Sequence, residues 1–281
     1  MSNTLNQVEK PYLSIRPTSG WQALNVSELW QFRDLLLTLA VRDVKLRYRQ
    51  TALGVLWVIA QPLLAAGIFT FVFGRVAKLP SDGIPYFVFA YAGLLGWTAF
   101  SNTVAKASNC MIQNSHLVSK VFFPRLVLPL ATVVSALIDF GVALGMMIVL
   151  MVIHHIHPHL GLLLLPLWLA LLVMLAIGIG LYAAALTVSY RDVQYIMPVF
   201  LQMLLYASPV PYAVSAVPVS LRPIYFLNPL SGLLEAFRWS LLGRGHVSWE
   251  HVAYAVAVTV IVFVAGAYAF KKMERRFADV I

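Results

Sequence analysis

Asp139 lies midway along Pro129 to Ile153, a stretch that is otherwise almost wholly apolar. An ionised carboxylate in hydrocarbon is costly unless it is paired or wet, so Asp139 either hydrogen-bonds inside a bundle or lines a path through it. No second acid shares such a stretch, so a proton relay lacks its other member. His154, His155, His157 and His159 crowd a short connector with Pro158. Imidazoles bind zinc, but zinc sites usually add Cys or carboxylate ligands; a solvated turn and a metal site both remain open there. The lone cysteine, Cys110, excludes an intrachain disulfide and fits a small core residue. The sequence contains no GxxxxGK[ST] loop, no serine elbow and no HExxH, so ATP binding by a P-loop and the common membrane hydrolase chemistries are excluded.

These residues sit in a chain whose solvent is a membrane. Of its 281 residues 60% are hydrophobic and 11% charged, with mean hydropathy +0.82, far outside the soluble range. Long apolar runs without alternation suit helices that satisfy their own backbone, not barrel strands. The expected fold is all-α and polytopic, with about six spans of roughly 20 residues: Leu53 to Gly74, Tyr86 to Ala107, Pro129 to Ile153, Leu160 to Ser189, Ile196 to Ala207, and Val252 to Phe270. The polar first residues, 1–26, hold no apolar signal-peptide core and are expected to form a cytosolic tail.

Residues 27–50 read as an amphipathic helix lying at the headgroups. Ser27 can cap it, Leu29, Phe32, Leu36 and Leu39 share a face, and Arg42, Lys45 and Arg49 follow at basic positions beside Arg47 and Tyr48. Residues 51–281 form the six-span domain. Within it, Pro209 and Pro211 should end the fifth span near Ala207. Asn228-Pro229 should open a further helix with Leu230, Leu233, Leu234, Phe237 and Leu241 on one face, Glu235 near Arg238, and Gly243 as its stop. About 14 residues cannot cross a bilayer, so residues 208–245 are expected to be re-entrant or interfacial and to form an extracytoplasmic gate, with Arg222, Arg238 and Arg244 at an interface and Gly232, Gly243 and Gly245 permitting it to flex. With six spans both termini share one side, and the basic residues fall about 15 to 5 in favour of the segments placed in the cytosol, Lys106 among them.

The run from Arg42 through Asp43, Lys45, Arg47, Tyr48 and Arg49 to Leu53-Gly54-Val55-Leu56-Trp57, followed by Gln61-Pro62, resembles the start of type 2 ABC exporter permeases. Arg191-Asp192 after the fourth span and Asn228-Pro229 before the sixth are similar to the same family, so the resemblance covers nearly the whole chain in order. Aromatic-rich spans and the long segment between spans five and six look most like the branch that exports lipid-linked polysaccharides of O-antigen, capsule or teichoic acid type. Drug exporters of the superfamily usually add a large extracytoplasmic domain or a fused ATPase, absent from this sequence.

The resemblance implies a bacterial cytoplasmic-membrane protein working as a homodimer with two separate nucleotide-binding subunits, which would hold ATP and magnesium; the chain itself would be no enzyme and carry no cofactor. It implies a channel lined in part by spans one and five, where Phe69, Phe73, Phe200, Tyr206 and Tyr212 could stack on sugar rings, although most aromatics in spans face lipid. Arg42, Arg47, Tyr48, Arg49 and Trp57 would form a cytosolic gate meeting an anionic lipid-linked substrate, or else simply anchor to headgroups. Residues 109–124, with Gln113, His116, Leu117, Lys120 and Phe122, would be the coupling helix that docks on the ATPase. Rival readings are an efflux permease for small amphiphiles, or a membrane transferase acting on lipid-linked sugars, for which only Asp139 and the histidine loop offer an acid or base.

Overall fold

The computed structural model describes residues 26–49, 56–245, 247–274 and 277. Among them every regular element is helical, as the apolar runs dictate. A helix pair, α1 (Val26–Gln31) and α2 (Arg33–Arg49), precedes α3 (Leu56–Phe69), which runs on as a π-helical turn over Thr70–Val76. Then come α4 (Tyr86–Gln113), α5 (Ser115–Lys120), α6 (Val127–Ile153) and α7 (Leu165–Ser189), the last entered through a 3-10 turn at Leu160–Leu164. The chain closes with α8 (Val193–Tyr206), the short α9 (Arg222–Tyr225), α10 (Pro229–Leu242) and α11 (Trp249–Glu274).

Among the described residues, four helical segments are long and apolar enough to cross a membrane: Leu56–Val76, Val127–Ile153, Leu160–Ser189 and Trp249–Glu274. The other two expected spans differ for separate reasons. Helix α4 is long, but Ser101, Asn102, Lys106 and Asn109 dilute it; α8 is apolar but only 14 residues.

Helix α4 is the axis of the bundle, in contact with α3, α6, α7, α8 and α10, while α7 also packs along α11. Its N-terminal half is buried throughout from Val88 to Trp97. Small residues set the tightest crossing: a Cβ on Gly266 of α11 would fall 2.0 Å from the Gly178 carbonyl oxygen of α7, so the two backbones touch. A second core gathers at the other end, where Leu39 and Ala40 of α2 meet Val118, Phe123, Phe270 and Phe277, with Leu29, Phe32 and Leu36 packed beside them. The amphipathic face is thus seated on protein, mainly on α6. Ser27 lies within α1 and does not precede it.

The chain stops where its local chemistry says it should. Pro209 and Pro211 follow α8. Asn228 caps α10 by accepting from the Leu230 N–H at 3.1 Å, with Pro229 in the first helical position. Gly243 ends α10 at φ 65°, a left-handed conformation that glycine adopts without penalty.

Candidate functional site

Two surfaces of opposite character deserve description: an exposed apolar flank made by α3 and α8, and a set of polar groups turned into the bundle. On α3 and its π-helical extension Trp57, Leu64, Ile68 and Phe71 are all more than half exposed, and on α8 Tyr195, Val199, Phe200, Met203 and Tyr206 project outward. Among the expected sugar-stacking residues, Phe200 and Tyr206 therefore lie on this open flank. Phe69 does not: it is buried and meets Phe73 edge-on at 5.5 Å. Tyr212 folds back to donate to the Tyr206 carbonyl at 2.7 Å.

At the end that carries α2 and α5, Arg42 donates to Asp43 at 2.8 Å and to Asn114 at 2.6 Å, linking α2 to the turn between α4 and α5. The side chains of Arg47, Tyr48 and Arg49 lie outside the described residues. Gln113, His116, Lys120 and Phe122 are exposed and Leu117 half-buried, so the segment presents both apolar and polar groups outward while Val118 anchors it. Just beyond it, Arg125 donates its main-chain N–H to Glu274 and stacks over the Phe277 ring, which fastens this turn to the end of α11.

Asp139 has a definite partner. Lys106 Nζ of α4 lies 2.9 Å from its Oδ2 and 2.8 Å from Ser135 Oγ, so the carboxylate is neutralised within the bundle. This corrects the placement of Lys106 among cytosolic loop residues. It stands about 10 Å up α4 from Gln113 at 1.5 Å per residue. The available signal was the spacing of Thr98, Asn102, Lys106 and Asn109, a polar row at helical period within an apolar run.

Arg238 is the second correction. It is 4% exposed, not interfacial; its guanidinium sits 4.0 Å over the Phe89 ring and donates to the Pro209 carbonyl at 2.7 Å. A buried cation is tolerated because a ring face and a carbonyl replace water. Helix α10 accordingly is buried along nearly its whole length, wedged between α4, α7 and α11. Gly232 is not a flexing point but a close approach, since a Cβ there would lie 3.0 Å from the His251 carbonyl oxygen. The exposed apolar groups of this region are instead Val219, Leu221, Ile224 and Leu227.

Outside the four spans, Glu235 of α10 borders a cavity of about 460 Å³ with Asp82, Arg222 and His251. Burial pushes its carboxyl up to about 7, with Arg238 opposing and Asp82 assisting. A raised acid pKa means that the folded state keeps a proton which the unfolded chain releases, so this group costs stability as pH climbs from about 4.5 to 7. Glu235→Gln should therefore melt on the order of 5 °C above the parent at pH 8 and level with it at pH 4, measured by thermal unfolding in detergent; equal melting temperatures at both pH values would contradict this.

The histidine connector does not converge. His154 faces the Leu150 carbonyl at 2.9 Å, while His159 is packed edge-on to Trp239 with ring centres 5.2 Å apart. No group of three or more potential ligands occurs among the described residues.

Comparison with known proteins places this arrangement. The model of the family described as ABC-2 type transporter matches residues 34–242, from α2 to the end of α10. The chain is 30% identical over 258 residues to the O-antigen export system permease protein RfbA of Myxococcus xanthus, covering 91% of this chain and 98% of that one. It is 28% identical over 249 residues to the protein of the same name from Klebsiella pneumoniae, with 88% and 95% covered. The polysialic acid transport protein KpsM of Escherichia coli is 25% identical over 243 residues, 84% of this chain and 92% of that protein. With α2, the ion-paired helices α4 and α6 and the wedged α10 all inside the matched region, the chain belongs to the ABC-2 type transporter family.

Proposed function

We propose that this chain is the membrane subunit of an ABC exporter that moves a lipid-linked polysaccharide across the bacterial inner membrane, driven by ATP and magnesium on separate subunits. The observation that carries the reading is the near full-length match to permeases named for O-antigen and polysialic acid export, in a chain whose own sequence lacks a phosphate-binding loop. Helices α4 and α8 complete six spans, with both termini cytosolic as the basic residues favour. The chain works as a homodimer: a hydrated polymer needs a wider path than one bundle encloses, and a two-fold axis along the open flank of α3 and α8 supplies it. Phe200, Tyr206 and Trp57 then face the path, while Phe69 and Phe73 support it from behind.

On the cytosolic side Arg42, with Arg47, Tyr48 and Arg49 further along α2, meets the anionic carrier lipid. Gln113, His116, Leu117, Lys120 and Phe122 dock on the nucleotide-binding subunit. On the outer side the re-entrant segment 208–245 divides into a fixed wedge, α10, and a displaceable apolar gate around residues 214–227, whose exposed side chains need a partner surface.

In cells deleted for the chain, surface polysaccharide should return only when the chain and its nucleotide-binding subunit are expressed together. Phe122→Asp combined with Leu117→Asp should cut co-purification of the two by at least tenfold. ATP hydrolysis by the chain alone, or undiminished surface polysaccharide in the deleted cells, contradicts the reading.

A further inference from the structure

We infer that the half-buried face of α4 is an aqueous, hydroxyl-binding groove: Ser101 and Asn102, with Gln202 of α8, bind the sugar residues of the passing chain by hydrogen bonds. The inference rests on the exporter reading and deepens it by naming the polar subsite.

A cavity of about 250 Å³ opens between α4 and α8, lined by Trp97, Ser101, Asn102, Asn109, Pro198 and Gln202. On the other side of the same helix face, a narrow cleft toward α3 is lined by Gln61, Thr98, Asn102 and Asp139. Asn102 borders both, so α4 forms a floor flanked by α3 and α8. Down that floor run Thr98, Asn102 and Lys106 at four-residue spacing, then Asn109, which a helix stacks on one face.

Hydrogen-bond supply decides what fills the groove. Thr98 and Asn109 are satisfied locally, at the Leu95 and Ala105 carbonyls, and Lys106 by Ser135 and Asp139. Gln61, Ser101, Asn102 and Gln202, by contrast, have no hydrogen-bond partner among the described residues. They come from three helices: Ser101 and Gln202 open on the cavity toward α8, Gln61 on the cleft toward α3, and Asn102 on both. Asn102 stands about 16 Å along α4 from Gln113, well inside hydrocarbon depth.

An amide facing lipid there would forfeit several kcal/mol of hydrogen bonding. Water or a hydroxyl-rich solute recovers it. The unpaired groups are all neutral, each able to donate and accept, and Lys106, the one cation on this face among the described residues, is paired with Asp139. That chemistry fits sugar hydroxyls and does not select phosphate. Trp97 in the wall adds an amphipathic ring against which a sugar face can pack.

The test uses the full complex with its nucleotide-binding subunit, in a Cys110→Ala background. Asn102→Cys and Gln202→Cys should react with a small charged methanethiosulfonate at least about tenfold faster than Ile148→Cys, which is exposed on the lipid-ready face of α6. Asn102→Leu with Gln202→Leu should lower surface polysaccharide about tenfold while membrane level and co-purification stay at the parent value, and Asn102→Ser should restore much of it. Unreactive cysteines overturn the aqueous groove. Reactive cysteines with full export in the double leucine variant overturn the sugar-binding role. If the parent protein itself restores no polysaccharide, the exporter reading falls and this assignment with it, an outcome that the parent arm separates from the others.

Discussion

Gly266→Leu should leave almost no folded protein in the membrane. A single Cβ at this position meets the Gly178 carbonyl oxygen at 2.0 Å, and a Cβ on Gly178 would meet the Phe263 backbone at 2.8 Å. The obstacle is main chain on both sides, so no rotamer change relieves it, and α7 and α11 must separate along their length. Ordinary overpacking costs about 1–3 kcal/mol; a forced helix separation also forfeits the dispersion contacts that hold helices together in lipid, where no hydrophobic drive replaces them. Gly145→Leu is the control, because nothing lies within 4 Å of a Cβ there. Fluorescence-detected size exclusion of tagged protein reads both. Comparable monodisperse peaks for Gly266→Leu and the parent would show that the crossing is looser than described.

The second large effect belongs to the ion pair between α4 and α6. The Asp139 side chain is 7% exposed and that of Lys106 26%, so removing one charge takes an ion-pair partner from the other in a region of low dielectric. Lys106→Met should cost about 3 kcal/mol or somewhat more, the range for breaking a buried pair. The double variant Lys106→Met, Asp139→Leu should recover most of that loss, since well-packed apolar residues commonly replace a buried pair at little cost. Thermal unfolding of the parent, both single variants and the double variant completes the cycle. A double variant less stable than either single one would mean that the two charges do not compensate each other.

How much of this could be read from sequence depends on the range of the interaction. The turns at Pro209 and Pro211, the Asn228 cap and the Gly243 stop were legible because each acts within a few residues: a missing N–H, a side-chain acceptor, a permitted positive φ. The resemblance carried by Arg42 to Trp57, Arg191-Asp192 and Asn228-Pro229 agreed with the family match. Arg238 was misplaced for the opposite reason. Its helix periodicity says only which neighbours share its face, whereas its solvation comes from Phe89 and Pro209, 149 and 29 positions away. Lys106 likewise was assigned by charge to the cytosol, although Asp139 lies 33 residues along the chain and pairs with it.

The amino-acid sequence alone therefore determined the solvent, the helical class, the breaks between helices and the family, since hydropathy, proline, glycine and capping residues act locally and additively. The tertiary structure decided which charges are buried and paired, that α10 is a wedge instead of a surface helix, and that the polar face of α4 opens on a groove. Those outcomes follow from which helices pack together: the same polar row would be a lipid-facing liability, a sealed core network or a wet channel wall depending on neighbours that no local pattern specifies.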